Sequence, residues 1–382
     1  MEEEIMREPN FSKFMNARII DGHLHFENIS LVRQTSGFFR TLNIEKLGIV
    51  SYARLKEVNS NPQAICFKAM YPRDTYIMGG LDYTDIDKYS KREIEKVLAE
   101  QVLTMTKIGF DGIKLLETKP SVARDMPFSI DDPVYNSFFA LLEERQLPIF
   151  WHVADPEEFW NEKMIPPAAK TMGWSYSDGT YPSKEKLYER VERVLSRFPN
   201  LKVVFAHFYF LSANLKRASA IMDTYSNVNF DITPGSEMYY NFSREPEETR
   251  RFFINYQDRI VFGDDTAIRK REDIPKERTI TKIFVMRNFL ETDERLDKSF
   301  SIIERKGEIQ GIKLPVSVLN KIYQDNYLRI VGKNPCPLNI TLAGKYCHRV
   351  GQILRTKFGF PNEMNFGCEA ENFLSSIKGR LK

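Results

Sequence analysis

The chain has 382 residues with 42% hydrophobic content and 19 glycines, enough to bury one large core, which excludes a disordered protein. Its 55 basic and 52 acidic residues nearly cancel, and the resulting +3 excludes an electrostatic footprint for nucleic acid or anionic lipid. Four cysteines without a C-x-x-C pair, an acidic start (M-E-E-E-I-M-R-E) and no apolar run near the roughly 20 residues of a membrane span predict a soluble, untargeted protein of the reducing cytoplasm.

Along the chain, short apolar or β-branched runs alternate with stretches of helical periodicity, which predicts βα units. The first run, 18–26 (R-I-I-D-G-H-L-H-F), carries Asp21, His23 and His25 two residues apart, so on a strand all three project from one side. The chain has only 5 histidines, and two of them stand here. Neutral imidazole is the commonest ligand of zinc and related ions, so this pair reads as half a metal site. Further strands are predicted at 46–52, 76–81, 111–116, 148–153, 202–207, 228–232 and 259–263. Between them, Ile94, Val97, Leu98, Val102 and Met105 recur at helical spacing ahead of Gly109, a C-cap. Asp132-Pro133 opens a second helix before Val134, Phe138, Leu141 and Leu142, and Leu187, Val191, Val194 and Phe198 mark a third.

Eight strands separated by helices fit a (β/α)8 TIM barrel, and an open doubly wound sheet fits the bare alternation as well. The polar residues favour the barrel. His152 ends P-I-F-W-H, His207 ends K-V-V-F-A-H, and Asp264-Asp265 follow R-I-V-F-G. In a barrel such strand ends share one face. A single histidine there is more often a satisfied core residue than a ligand. Four of the five histidines and an aspartate pair at such ends favour one shared site.

As a set, D-G-H-L-H, G-I-K-L-L, L-P-I-F-W-H-V, F-P-N-L-K-V-V-F-A-H and R-I-V-F-G-D-D resemble the amidohydrolase superfamily. The resemblance is narrowest to the amidohydrolase-related branch, which includes the aminocarboxymuconate-semialdehyde decarboxylases and related metal-dependent hydrolases. It runs from Ile19 to about Gly332, where 314–332 is similar to the helix that closes such barrels. It implies one divalent ion, zinc ahead of manganese, held by His23, His25, His152 and Asp265, with His207 and Asp265 catalytic. Asp264 departs from the family pattern, standing where Ser or Thr is usual, and is expected to support the site, as are Asp21 and Lys114. In two-metal members a fourth-strand lysine is carboxylated and bridges the ions, which is the alternative role for Lys114.

Such a site makes hydroxide available near neutral pH, because a bound ion brings the pKa of its water toward about 7. A metal-dependent hydrolase of a small C–N or C–O substrate is therefore the first expectation. A nonoxidative decarboxylase of an aromatic or unsaturated acid is the second, and a noncatalytic metal-binding barrel the third. Neither a phosphate-binding glycine loop nor G-x-S-x-G occurs. The long aromatic segment at about 155–183 reads as a lid whose Trp174, Tyr176 and Tyr181 wall a pocket, and Arg54 or Arg73 could hold a substrate carboxylate. Residues 1–332 are assigned to the barrel and 333–382 to a helical extension packed on it or at a subunit contact, with a homodimer as the prior state. His348 beside Cys347 reads as a surface pair.

Overall fold

The computed structural model describes residues 9–52, 58–297, 300 and 307–380. Short runs of Ile, Val, Leu and Phe become parallel strands because each is buried on both faces, one toward the barrel interior and one toward the helices. These are β1 (Ile19–Phe26), β2 (Ile44–Val50), β3 (Thr75–Gly79), β4 (Gly112–Thr118), β5 (Ile149–Val153), β6 (Val203–Phe205), β7 (Val228–Asp231), β8 (Ile260–Val261) and β9 (Thr266–Ile268). From β1 to β8 each strand pairs with the next, all parallel, and β9 pairs with β1. Since β8 and β9 are consecutive in the chain, they are two halves of one eighth strand, broken at 262–265. The circle closes across that break, where Gly22 N donates to Phe262 O (3.0 Å) and Asp265 N to His23 O (2.9 Å). The expected (β/α)8 barrel is the fold, with a C-terminal helical extension.

Helices α1 (Val32–Thr41), α2 (Asn61–Met70), α3 (Lys91–Ile108), α4 (Asn136–Glu144), α5 (Lys184–Arg197), α6 (Leu215–Thr224), α7 (Pro246–Asn255) and α8 (Lys276–Glu291) lie between and after the strands. Their ends follow local chemistry. A Ser90–Glu93 capping box starts α3, and Gly109, at φ 111°, ends it. The Asp132 side chain accepts from Val134 N at a 3-10 turn that leads into α4.

The interior is closed at the N-terminal end of the strands. Ile20, Val50, Tyr76, Met78, Phe150, Val204 and Val261 pack around Tyr327 and Ile330 of the closing segment 316–331. Burying such large apolar groups contributes roughly 1.5–3 kcal/mol each. Tyr327 fits because β1 and β2 carry Gly22 and Gly48 beside it; a Cβ on Gly48 would lie 2.5 Å from the Tyr327 hydroxyl and 2.7 Å from the Gly22 carbonyl oxygen. A plugged N-terminal end leaves the C-terminal face as the open one. Beyond the closing segment, α9 (Ile340–Thr356) and α10 (Phe366–Arg380) pack on each other and on α2. Among the described residues no helix is long and apolar enough to cross a membrane.

Candidate metal centre

The hydrogen bonds of β1 fix which ring nitrogens its histidines present. Val50 O can only accept, so His25 Nδ1–H donates to it (2.9 Å), and in the neutral ring His25 Nε2 carries the lone pair. His23 Nδ1–H donates to Asp231 Oδ2 at the end of β7 (2.8 Å), which likewise leaves the lone pair on His23 Nε2. Both Nε2 atoms face Asp265, at 3.2 Å from His25 and 3.9 Å from His23 to the same carboxylate oxygen. The potential ligand atoms of His23, His25 and Asp265 all lie within 4.8 Å of one another. Lys114 Nζ stands 3.1 Å from His23 Nε2, so positive charge is already drawn to the point where these groups converge.

Burial and the Lys114 ammonium push the His23 imidazolium down to about 3, so the ring is neutral at ordinary pH. Burial also lowers His207, and it brings Lys114 down to about 8 against the pull of Asp231 and Asp265. Burial would raise the Asp231 carboxyl, but the charge and hydrogen bond of His23 outweigh it and hold the group at about 2. Asp265 behaves in the same way, held well below the carboxylate range by His25, His207 and His23.

Asp264 takes no part in this set. Its carboxylate accepts from Thr266 N (2.7 Å) and the Thr266 hydroxyl (2.6 Å), which turns it away from the histidines. Asp21 Oδ1 accepts from His23 N and Asp264 N, both at 3.1 Å, and so ties β1 to the broken eighth strand. Burial and the neighbouring Asp264 raise the Asp21 carboxyl well above its ordinary value.

His152 lies across the cavity, its ring 4.9 Å from that of His207. Its Nε2 faces Asp155 Oδ1 (3.1 Å), so the structure does not gather it with His23, His25 and Asp265. Asp155 also accepts from Lys119 Nζ (2.8 Å) and the Tyr176 hydroxyl (2.6 Å), while Lys119 lies 4.4 Å from the Trp174 ring centroid. One carboxylate thus fastens the 155–183 segment over the strand ends. That segment has its own small core of Phe159, Ile165, Ala169 and Tyr176.

His207 opens an unusual turn. His207, Phe208, Tyr209 and Phe210 all have φ between 49° and 55°, a left-handed stretch without glycine. Each such residue costs about 1–2 kcal/mol. Burying Phe208 and Tyr209 completely offsets this by a similar amount per ring. The turn aims His207 and Phe210 into the cavity with their rings stacked at 5.1 Å. His207 Nδ1 donates to Thr233 O (3.2 Å), which leaves its Nε2 free to take a proton.

These groups surround a cavity of about 820 Å³. Trp174 lines it, and Tyr176 and Tyr181 do not. Tyr176 is turned onto Asp155, and the Tyr181 hydroxyl accepts from Arg124 (2.7 Å) at the surface. Arg54 lies outside the described residues. Arg73 is exposed ahead of β3, at the end of the barrel away from the site. A family model described as amidohydrolase matches residues 89–330, well over half of the chain. The chain belongs to the amidohydrolase family.

The match begins after β3, so the β1 histidines of this amidohydrolase rest on the geometry above. Several solved structures are similar over most of their length. An uncharacterized TIM-barrel protein from Bordetella bronchiseptica is 14% identical with a TM-score of 0.49, covering 85% of this chain and 99% of its own. A 5-carboxyvanillate decarboxylase from Sphingomonas paucimobilis is 13% identical with a TM-score of 0.44, covering 82% and 98%. A 4-oxalomesaconate hydratase from Rhodopseudomonas palustris is 13% identical with a TM-score of 0.46, covering 82% and 95%. At these scores none bears on the chemistry. No curated protein matches the sequence.

Sequence reasoning missed Asp231, Asp155, Lys119 and Phe210. Asp231 was within reach: it ends the apolar run V-N-F-D just as His152 ends P-I-F-W-H. The others carry no comparable signal, because their roles depend on contacts between segments.

Proposed function

We propose that this amidohydrolase is a metal-dependent hydrolase that holds one divalent cation through His23, His25 and Asp265 and acts on a small C–N or C–O substrate such as an amide or lactone. The observation carrying this reading is the pair of fixed tautomers. Two lone pairs facing an ionised carboxylate repel unless positive charge lies between them, and among the described residues Lys114 Nζ meets only that of His23. Two imidazoles and a carboxylate suit zinc, with manganese next. When bound, such an ion supplies Lewis acidity and makes water acidic enough to react near neutral pH.

The remaining roles belong to the chain's own residues. Asp231 keeps the His23 tautomer, and ionised Asp265 can accept a proton from an attacking water. His207, neutral and open at Nε2, can hold that proton and deliver it to a leaving nitrogen or oxygen. Phe210 and Trp174 offer flat apolar walls that exclude bulk water from the reacting end. Decarboxylation of an unsaturated or aromatic acid is the second reading, favoured by the stacked His207–Phe210 floor, where a planar ring would present a carbon to His207 Nε2; that nitrogen would first take a proton from solvent and pass it to the carbon as the C–C bond to the leaving CO2 breaks.

The test is metal content by elemental analysis for the wild type and for His23→Ala/His25→Ala, followed by a screen of amides, lactones and aromatic acids. One equivalent of zinc or manganese, lost in the double variant, and turnover of an amide or lactone are expected. Release of CO2 from an aromatic acid would move the assignment to the second reading. A protein that retains no ion after zinc or manganese is added would sink both.

A further inference from the structure

The wall of the cavity that follows the eighth strand carries three basic residues that have no ion pair among the described residues. Pro275, Arg278, Thr279 and Lys282 recur at helical spacing, and all four line the cavity from the start of α8, with Arg269 added from the loop after β9. Lys282 is 6% exposed. Its Nζ donates to the Asp264 carbonyl oxygen, and among the described residues no carboxylate lies within 4.0 Å of it. A buried ammonium with one neutral acceptor and two unused N–H groups is costly unless an anion completes it. Arg269 and Arg278 likewise have no ion pair among the described residues. The nearby carboxylates are otherwise placed: Asp265 faces the histidines, and Glu272 on this wall pairs with none of the three cations. On the facing wall, by contrast, Lys119 is neutralised by Asp155.

We propose that this wall is an anion subsite, so that the substrate carries an oxyanion group, carboxylate or phosphate, held by Lys282 with Arg278 and Arg269 while its reacting bond lies beside His23, His25 and Asp265. The proposal rests on the preceding reading in taking this cavity as the substrate pocket, and it narrows the substrate from any small amide or lactone to an anionic one. Lys282 acts here as a binding residue.

The test needs no turnover. Binding of phthalate, phenylphosphonate and the uncharged dimethyl phthalate to the full chain is followed by ligand-observed NMR, both as purified and after chelation of metal. The expected result is that at least one anion binds the chelated protein, and that the neutral diester binds at least about tenfold more weakly, the scale of one charge-assisted hydrogen bond. Lys282→Met should weaken the anion by about tenfold or more and Arg278→Gln by several-fold, with Lys282→Arg retaining it. Preference for phthalate or for phenylphosphonate separates a carboxylate from a phosphate ligand. If Lys282→Met does not fold, the exposed Arg278→Gln and Arg269→Gln carry the comparison. Equal binding of the diester, unchanged affinity in the variants, or no binding of either anion would overturn the subsite. Because the chelated protein is used, those outcomes leave the metal reading standing, and failure to bind metal leaves the subsite standing.

Discussion

Replacing Asp231 by Asn tests the metal centre at a residue that would touch neither metal nor substrate. Asp231 Oδ1 accepts from His207 N (2.8 Å), Thr233 N (3.1 Å) and the Thr233 hydroxyl, while Oδ2 serves His23 Nδ1 alone. Asn keeps the Oδ1 contacts and puts an N–H donor where Oδ2 was. His23 Nδ1 must then accept, its proton moves to Nε2, and the lone pair facing Asp265 is lost. Removing a partner of this kind typically weakens metal affinity 10–100-fold, about 1.4–2.8 kcal/mol. The assay is zinc competition against a chromophoric chelator, with ¹⁵N shifts of His23 reporting the tautomer. A thermal melt confirms that the variant folds. Wild-type affinity together with an unchanged His23 tautomer in Asp231→Asn would refute the account of this site.

His25→Ala should abolish retention of metal on desalting, whereas His152→Ala should leave most of it, because His152 Nε2 is engaged by Asp155; equal loss in the two would place His152 among the ligands. Asp155 predicts an acid step. Burial would raise its carboxyl, but Lys119 and His152 hold it well below the usual range. Its stabilisation is therefore complete above about pH 3.9, the unfolded value, and lost as pH falls below it. Amide protection factors across 157–181, taken against the intrinsic exchange rate at each pH, should fall as the pH drops below about 3.9 in the wild type and already be low at pH 7 in Asp155→Asn; identical protection in the two at pH 7 would exclude Asp155 as the fastener. Gly48→Ala should lower stability by about 1–3 kcal/mol in denaturant unfolding, since its methyl meets the Gly22 carbonyl oxygen at 2.7 Å; an unchanged midpoint would show that the strands can yield there.

The barrel was readable in the sequence because parallel strands buried on both faces leave apolar runs, and because polar residues interrupt those runs at one end. His23, His25 and Asp265, which the fold brings together, were singled out that way. The relation of His23 to Asp231 was not, since β1 and β7 come together only through closure of the sheet. The left-handed turn at His207 had no glycine to announce it, and its aromatic residues read as ordinary core. Two expected wall residues, Tyr176 and Tyr181, were misplaced because aromatic content marks burial without saying which side of a loop faces the cavity. The break at 262–265 was also hidden, as R-I-V-F-G has the apolar character of an unbroken strand.

That broken eighth strand has a consequence during synthesis. The histidines leave the ribosome early on β1, and the carboxylate they face arrives only after seven strands have been translated. A nascent chain therefore carries two imidazoles without their third partner, on a strand whose far edge is still open. An ion held by His23, His25 and Asp265 would find its full set only once β9 has docked on β1, so shape would precede loading.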